Sequence, residues 1–187
     1  TLLERRQKEL ICRDFYRQHF TFPVIDFYRL SGFNFDEESF SDVSEEWMSV
    51  YKNGFRHESL LQPDTLKTLE DCRSFTQSIL SACELNFLNE SVDFFGLNKF
   101  FGQVHGTDNI EAHGKVDLAK RMLEAKHFEP SESVLIGDTL HDHEVAEAVG
   151  MHCILISHGH QDYSRLASTG TTIVESFQDI PKALRKL

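Results

Sequence analysis

The stretch Val134-Leu135-Ile136-Gly137-Asp138-Thr139-Leu140-His141-Asp142 runs from apolar residues through a glycine to two carboxylates four residues apart. Residues 133–136 read as a buried strand. Residues 141–149 read as a helix closed by Gly150, a residue type favoured just past a helix end. In a parallel sheet ligands gather at the carboxyl ends of the strands, which is where this reading puts Asp138. Gly137 permits a tight exit from the strand, and Asp142 lies about one helical turn further on. Two carboxylates so placed suit a hard cation with oxygen ligands and retained waters, which is Mg²⁺. Read alone, either would serve equally as a helix cap.

The same alternation extends on both sides of this stretch. Downstream, residues 153–156 read as a strand, about 162–167 as a short helix, 171–174 as a strand, and the end of the chain as a helix. Upstream, residues 64–71 read as a helix, 75–80 as a strand, 84–95 as a helix closed by Gly96, 103–105 as a short strand and 115–125 as a helix. Repeated strand–helix units of this size predict an α/β fold with a parallel, doubly wound sheet. Residues 1–59 carry a different, helical pattern. Residues 36–51 form its best amphipathic helix, with Phe40, Val43, Trp47 and Val50 on one face, and Gly54 is expected to break it. Pro23 suits a first helical turn. A helical module over 1–59 and an α/β module over 60–187 follow.

Two further residues stand where a phosphate could be held. Ser81 follows the strand expected at 75–80 and precedes a helix, so its hydroxyl could donate to a phosphate oxygen. Lys115 opens a helix, where its charge opposes the helix dipole, so the charge is expected to be wanted elsewhere. Alone, a helix cap and a solvated lysine explain these two as well.

Taken in order, Ser81, Lys115 and Gly137-Asp138-xxx-Asp142 resemble the second, third and fourth motifs of the haloacid dehalogenase superfamily, with the register kept over residues 60–187. Gly137 to Gly150 carries the likeness most strongly, and Ser157-His158-Gly159-His160-Gln161 is similar to the same subgroup. Residues 1–59 resemble the small helical cap of its phosphoglycolate-phosphatase-like members. The resemblance implies a Rossmannoid parallel-sheet core with that cap. It also implies a Mg²⁺-dependent phosphatase acting on a small phosphorylated metabolite through an aspartyl-phosphate. Ser81 and Lys115 would then hold the phosphoryl group, Lys115 and Asp138 would act in catalysis, and Asp138 and Asp142 would serve the metal. A cytoplasmic monomer or weak homodimer is the further expectation.

The family's first motif, which supplies the nucleophilic aspartate, is not found. The nearest candidate, Asp26, has Tyr28 at the second position after it and no Gly-Thr beyond. The chain starts at Thr1, directly in a charged helical pattern that reads as the middle of something longer. The absent strand would lie centrally, between those expected at 75–80 and 133–136, leaving two strand edges that need partners. An upstream segment carrying that strand is the expectation. A non-catalytic relative that binds a partner or phosphometabolite stays open beside it.

Composition removes other classes. A net charge of −11 disfavours nucleic acid and anionic membrane as partners. No apolar run approaches the ~20 residues needed to cross a bilayer. Cys12, Cys72, Cys83 and Cys153 form no CxxC pair and read as buried reduced thiols. His141 and His143, two apart at a helix start, point away from each other, so a zinc centre is disfavoured. No Walker or GxGxxG loop offers a nucleotide site, and no GxSxG offers a serine nucleophile.

Overall fold

A computed structural model of the chain describes residues 1–58, 61–107 and 114–187. The expected join at 59/60 lies outside the described residues. The first 58 residues hold helices α1 (Leu2–Arg5), α2 (Arg13–His19), α3 (Val24–Leu30) and α4 (Phe40–Glu58). Leu2, Leu3, Phe33 and Val43 are buried together, with Ile11, Tyr28 and Phe35 packed around them. Arg6 ties the end of α1 to α4 through Glu46 at 2.8 Å and reaches Glu38 at 2.7 Å.

Helix α4 departs from its expected limits at both ends. Asn34 accepts the Asp36 amide on its side chain at 3.1 Å, an Asx turn that keeps the next residues out of the helix. At the other end the helix continues through Gly54 to Glu58. A glycine inside a helix costs about 1 kcal/mol. Burying one phenylalanine contributes about 1.5–3 kcal/mol, and Phe55 is 8% exposed, with the Phe87 and Phe95 rings 5.2 and 5.6 Å away. The packing term wins.

The rest of the chain alternates as expected. The elements are α5 (Thr65–Asp71), β1 (Ser78–Glu84), α6 (Leu85–Phe94), β2 (Gln103–Thr107), α7 (Lys115–Lys126), β3 (Val134–Gly137), α8 (Leu140–Val149), β4 (His152–Ile156), α9 (Tyr163–Leu166), β5 (Thr172–Val174) and α10 (Ile180–Leu184). Among the described residues all strand pairs are parallel. Successive side chains in a strand point to opposite faces, and β3–β4–β5 uses both. Leu135, Cys153 and Leu155 meet Ala119 of α7, Val145 and Ala146 of α8 and Leu166 of α9. Ile154, Ile156 and Val174 meet Cys72, Ile180 and Ala183 on the other side. Helices thus cover both faces, which is why these strands are mostly apolar.

The strands form two sheets, β1–β2 and β3–β4–β5, with no ladder between β1 and β3 among the described residues. Leu80 of β1 nonetheless packs into the same cluster as Leu135 of β3, under α7 and α8. Ile136, on the unpaired edge of β3, is 41% exposed. Strand β1 also begins later than its apolar pattern predicts. Phe75 lies in a turn, its amide bonded to the Cys72 carbonyl at 2.9 Å, and pairing with β2 carries the strand on to Glu84. All four cysteines are free. Cys72 and Cys153 are buried, Cys83 is half-buried, and Cys12 is exposed at the start of α2, contrary to the expectation that all four are buried. Among the described residues no helix is long and apolar enough to cross a membrane.

Candidate active site

The loop from Gly137 to Asp142 is built around the Asp142 carboxylate. Its Oδ2 accepts the backbone amides of Asp138 and Thr139, both at 3.0 Å, and the Thr139 hydroxyl at 2.7 Å. The Asp142 amide returns to Thr139 Oγ1 at 3.2 Å, completing a capping box at the start of α8. Its Oδ1 receives Lys115 Nζ. A Cβ on Gly137 would overlap this carboxylate, so glycine is required there.

Asp142 is 4% exposed. Burial alone would raise its pKa. The attraction of Lys115 and the hydrogen bonds from Lys115, Thr139 and Asp138 outweigh it and hold the carboxyl below its ordinary 3.8. A depressed carboxyl pKa stabilises the fold above the unfolded value, and that contribution is lost as pH falls through the folded value. Thermal stability should therefore fall as pH drops below about 4, and Asp142→Asn should flatten that acid limb. A melting-temperature series from pH 6 to 2 on both proteins checks this; identical acid limbs would refute it.

Lys115 is the first residue of α7, and its side chain is 16% exposed. A lysine there opposes the helix dipole at a cost of about 0.3–1 kcal/mol. The structure puts the charge on Asp142, across the α7–α8 contact. Asp138 takes the neighbouring position. Its Oδ2 accepts the His160 amide at 2.7 Å, and its side chain borders a cleft of about 210 Å³ that Ile136, Ile156, His158 and Gly159 also line. A Cβ on Gly159 would overlap the Asp138 carboxylate, so this glycine lets the loop after β4 close over it.

Ser81 is not brought into this hydrogen-bonded set. It lies within β1, where the register with β2 shifts between Leu80 and Glu84, and not beyond a strand end. Its Oγ accepts the Cys83 amide at 3.1 Å, which leaves the hydroxyl proton able to donate. Its neighbour Leu80 packs against the cluster beneath α7 and α8. Asp26 lies in the first turn of α3 and pairs with Arg29 at 3.0 Å.

Among the described residues no three His, Cys, Asp or Glu side chains converge as a metal cage. Mg²⁺ uses one or two carboxylates and completes its shell with waters and substrate phosphate. A single carboxylate, Asp138, at a cleft fits that habit. Asp142 is saturated by four donors and fits as the anion that orients the loop.

The helical layer reaches this site through contacts the sequence did not signal. The Tyr16 hydroxyl bonds His160 Nδ1, and Phe20 stacks on the His160 ring at 4.8 Å. Burial, then the Asp138 charge, raises the Tyr16 pKa well above its ordinary value, so the phenol keeps its proton. Thr139 was also missed, although Thr139-xx-Asp142 is a readable capping-box pattern. No sequence pattern marks Tyr16 or Phe20.

Comparison with known proteins agrees with this architecture. Residues 1–156 match the haloacid dehalogenase-like hydrolase family. A phosphoglycolate phosphatase of Caulobacter vibrioides is 26% identical over 158 residues, 82% of this chain; the chain spans 66% of that relative's length. A haloacid dehalogenase-like family hydrolase of Streptococcus pneumoniae superposes with a TM-score of 0.82 at 19% identity, covering 96% of this chain and 84% of that one. A haloacid dehalogenase-like protein of unknown function from Agrobacterium tumefaciens gives 0.81 at 17% identity, covering 99% and 87%. At these identities the superpositions speak for the fold.

Proposed function

The chain belongs to the haloacid dehalogenase-like hydrolase family, and from that membership we propose that it acts as a Mg²⁺-dependent phosphatase on a small phosphorylated metabolite. The observation that carries this reading is the largely buried Lys115–Asp142 pair holding the loop that presents Asp138 to a cleft. Phosphoryl transfer asks a protein mainly for positioning and charge neutralisation. Asp138 would hold the metal, and Asp142, fixed by Lys115, would hold Asp138. When bound, Mg²⁺ would offset charge on the phosphoryl oxygens. The Ser81 hydroxyl would donate to one of those oxygens. Lys115 would add positive charge from the floor of the site.

In this proposal the nucleophile is an aspartate on a strand seated between β1 and β3. It would attack phosphorus and break the P–O bond to the alcohol, which takes its proton from a second aspartate of the same strand. Water, returning a proton to that aspartate, would then hydrolyse the aspartyl-phosphate to free phosphate and the regenerated carboxylate. The break between the two parallel sheets among the described residues supports such a strand, because the N–H and C=O groups of a strand edge need a partner. The α1–α4 layer would shield the site from bulk water while the ester forms. Phosphoglycolate, named by the Caulobacter relative, and sugar phosphates are the first substrates to try. A cytoplasmic monomer or weak homodimer remains part of the proposal.

A second reading, a binding protein of the same fold, is favoured by one observation. Among the described residues Asp138 is the one carboxylate lining the cleft. Hydrolysis of p-nitrophenyl phosphate and a metabolite panel, with and without Mg²⁺, separates the two. Metal-dependent turnover supports the phosphatase. Calorimetric binding of phosphate with Mg²⁺ but no turnover supports the second reading.

A further inference from the structure

Gln161 is 2% exposed and hydrogen-bonds in two directions. Its Oε1 accepts the Leu140 amide at 2.7 Å, one of the donors at the start of α8 that lack an intrahelical partner. Its Nε2 donates to the carbonyl of Phe20, the residue that ends α2, at 2.9 Å. The amide has one orientation that works, because a flip would set oxygen against oxygen at Phe20 and N–H against N–H at Leu140. The flanking residues repeat the arrangement. Arg17 donates to the Ser157 carbonyl, Arg165 donates to the Phe20 carbonyl, and Tyr16 meets the His160 ring while the His160 amide holds Asp138. The segment Ser157–Gln161 thus grips α2 on one side and the Asp138–Asp142 loop on the other.

We propose that Gln161 is a positioning residue that couples the seating of α2 to the Asp138–Asp142 loop, so that helical layer and loop tighten and loosen together. The coupling resides in the protein's own hydrogen bonds and does not rest on the phosphatase reading. Residue-resolved amide hydrogen exchange on the full chain tests it with two variants.

Gln161→Met keeps nearly the same volume and removes both bonds. It should speed exchange at Leu140 and at Phe20, whose amide bonds the Tyr16 carbonyl, by about threefold or more, the factor expected for one ordinary hydrogen bond. The Ile154 amide in β4 should keep its wild-type rate. A side chain that merely fills space would leave both ends unchanged, which would overturn the proposal.

Gln161→Glu separates coupling from two independent bonds. At neutral pH it keeps an acceptor for Leu140 and loses the donor to Phe20. Coupling requires Leu140 and Thr139 to exchange faster along with the end of α2. Faster exchange at α2 alone would overturn it. Should the Met variant fail to fold, the Glu variant decides by itself.

Discussion

Replacing Asp138 by Asn is expected to lower Mg²⁺-dependent turnover by about two to three orders of magnitude, the usual consequence of removing one preorganised electrostatic group from a site. The substitution keeps the side chain's shape, and the asparagine carbonyl can still accept the His160 amide that Asp138 Oδ2 now takes at 2.7 Å. What disappears is the negative charge at the cleft. Because that side chain is only partly buried and keeps its hydrogen bond, stability should change by less than about 1 kcal/mol. A steady-state assay across a Mg²⁺ series, with a thermal melt as control, makes the comparison. An unchanged rate with unchanged metal dependence would remove Asp138 from the metal's shell.

Lys115→Met should weaken both the fold and the reaction. Breaking a buried ion pair by removing one partner costs about 3–5 kcal/mol, because the remaining charge is left uncompensated. Asp142 keeps three donors on its Oδ2, so the lower end, about 3 kcal/mol, is expected. At this chain length that corresponds to a melting temperature lower by about 6–12 °C. Adding Asp142→Asn should restore much of the loss, since a neutral amide needs no counter-charge and its oxygen can still accept the loop amides. A double-mutant cycle by denaturant unfolding measures the coupling. A single variant within 0.5 kcal/mol of wild type, a threshold set by ordinary surface substitutions, would mean that the pair contributes nothing net. Turnover should fall with stability, because the same carboxylate fixes the backbone that presents Asp138.

Both substitutions act on a stretch that was readable in the sequence. The 133–136 run, Gly137 and the two aspartates locate a strand end and a loop, and the structure has them there as β3 and the start of α8. The unusual place of Lys115, at the first position of a helix, also pointed to a partner elsewhere. That the partner is Asp142 was not legible, because 27 residues separate the two and only the α7–α8 contact joins them.

Continuous apolar runs, glycines at helix ends and capping residues act within a few positions along the chain, so the sequence by itself determined the order of strands and helices, the parallel α/β class and the residues of the Asp138 loop. The tertiary structure alone decided three further features. Helix α4 passes Gly54 because Phe55 finds aromatic partners on α6 and beyond. Ser81 lies inside a strand because β2 extends the pairing. Gln161 bonds Leu140, 21 residues away, and Phe20, 141 residues away. Each of these depends on groups distant in sequence meeting in a buried place, where an unpaired polar atom or an unfilled volume costs more than any local preference contributes.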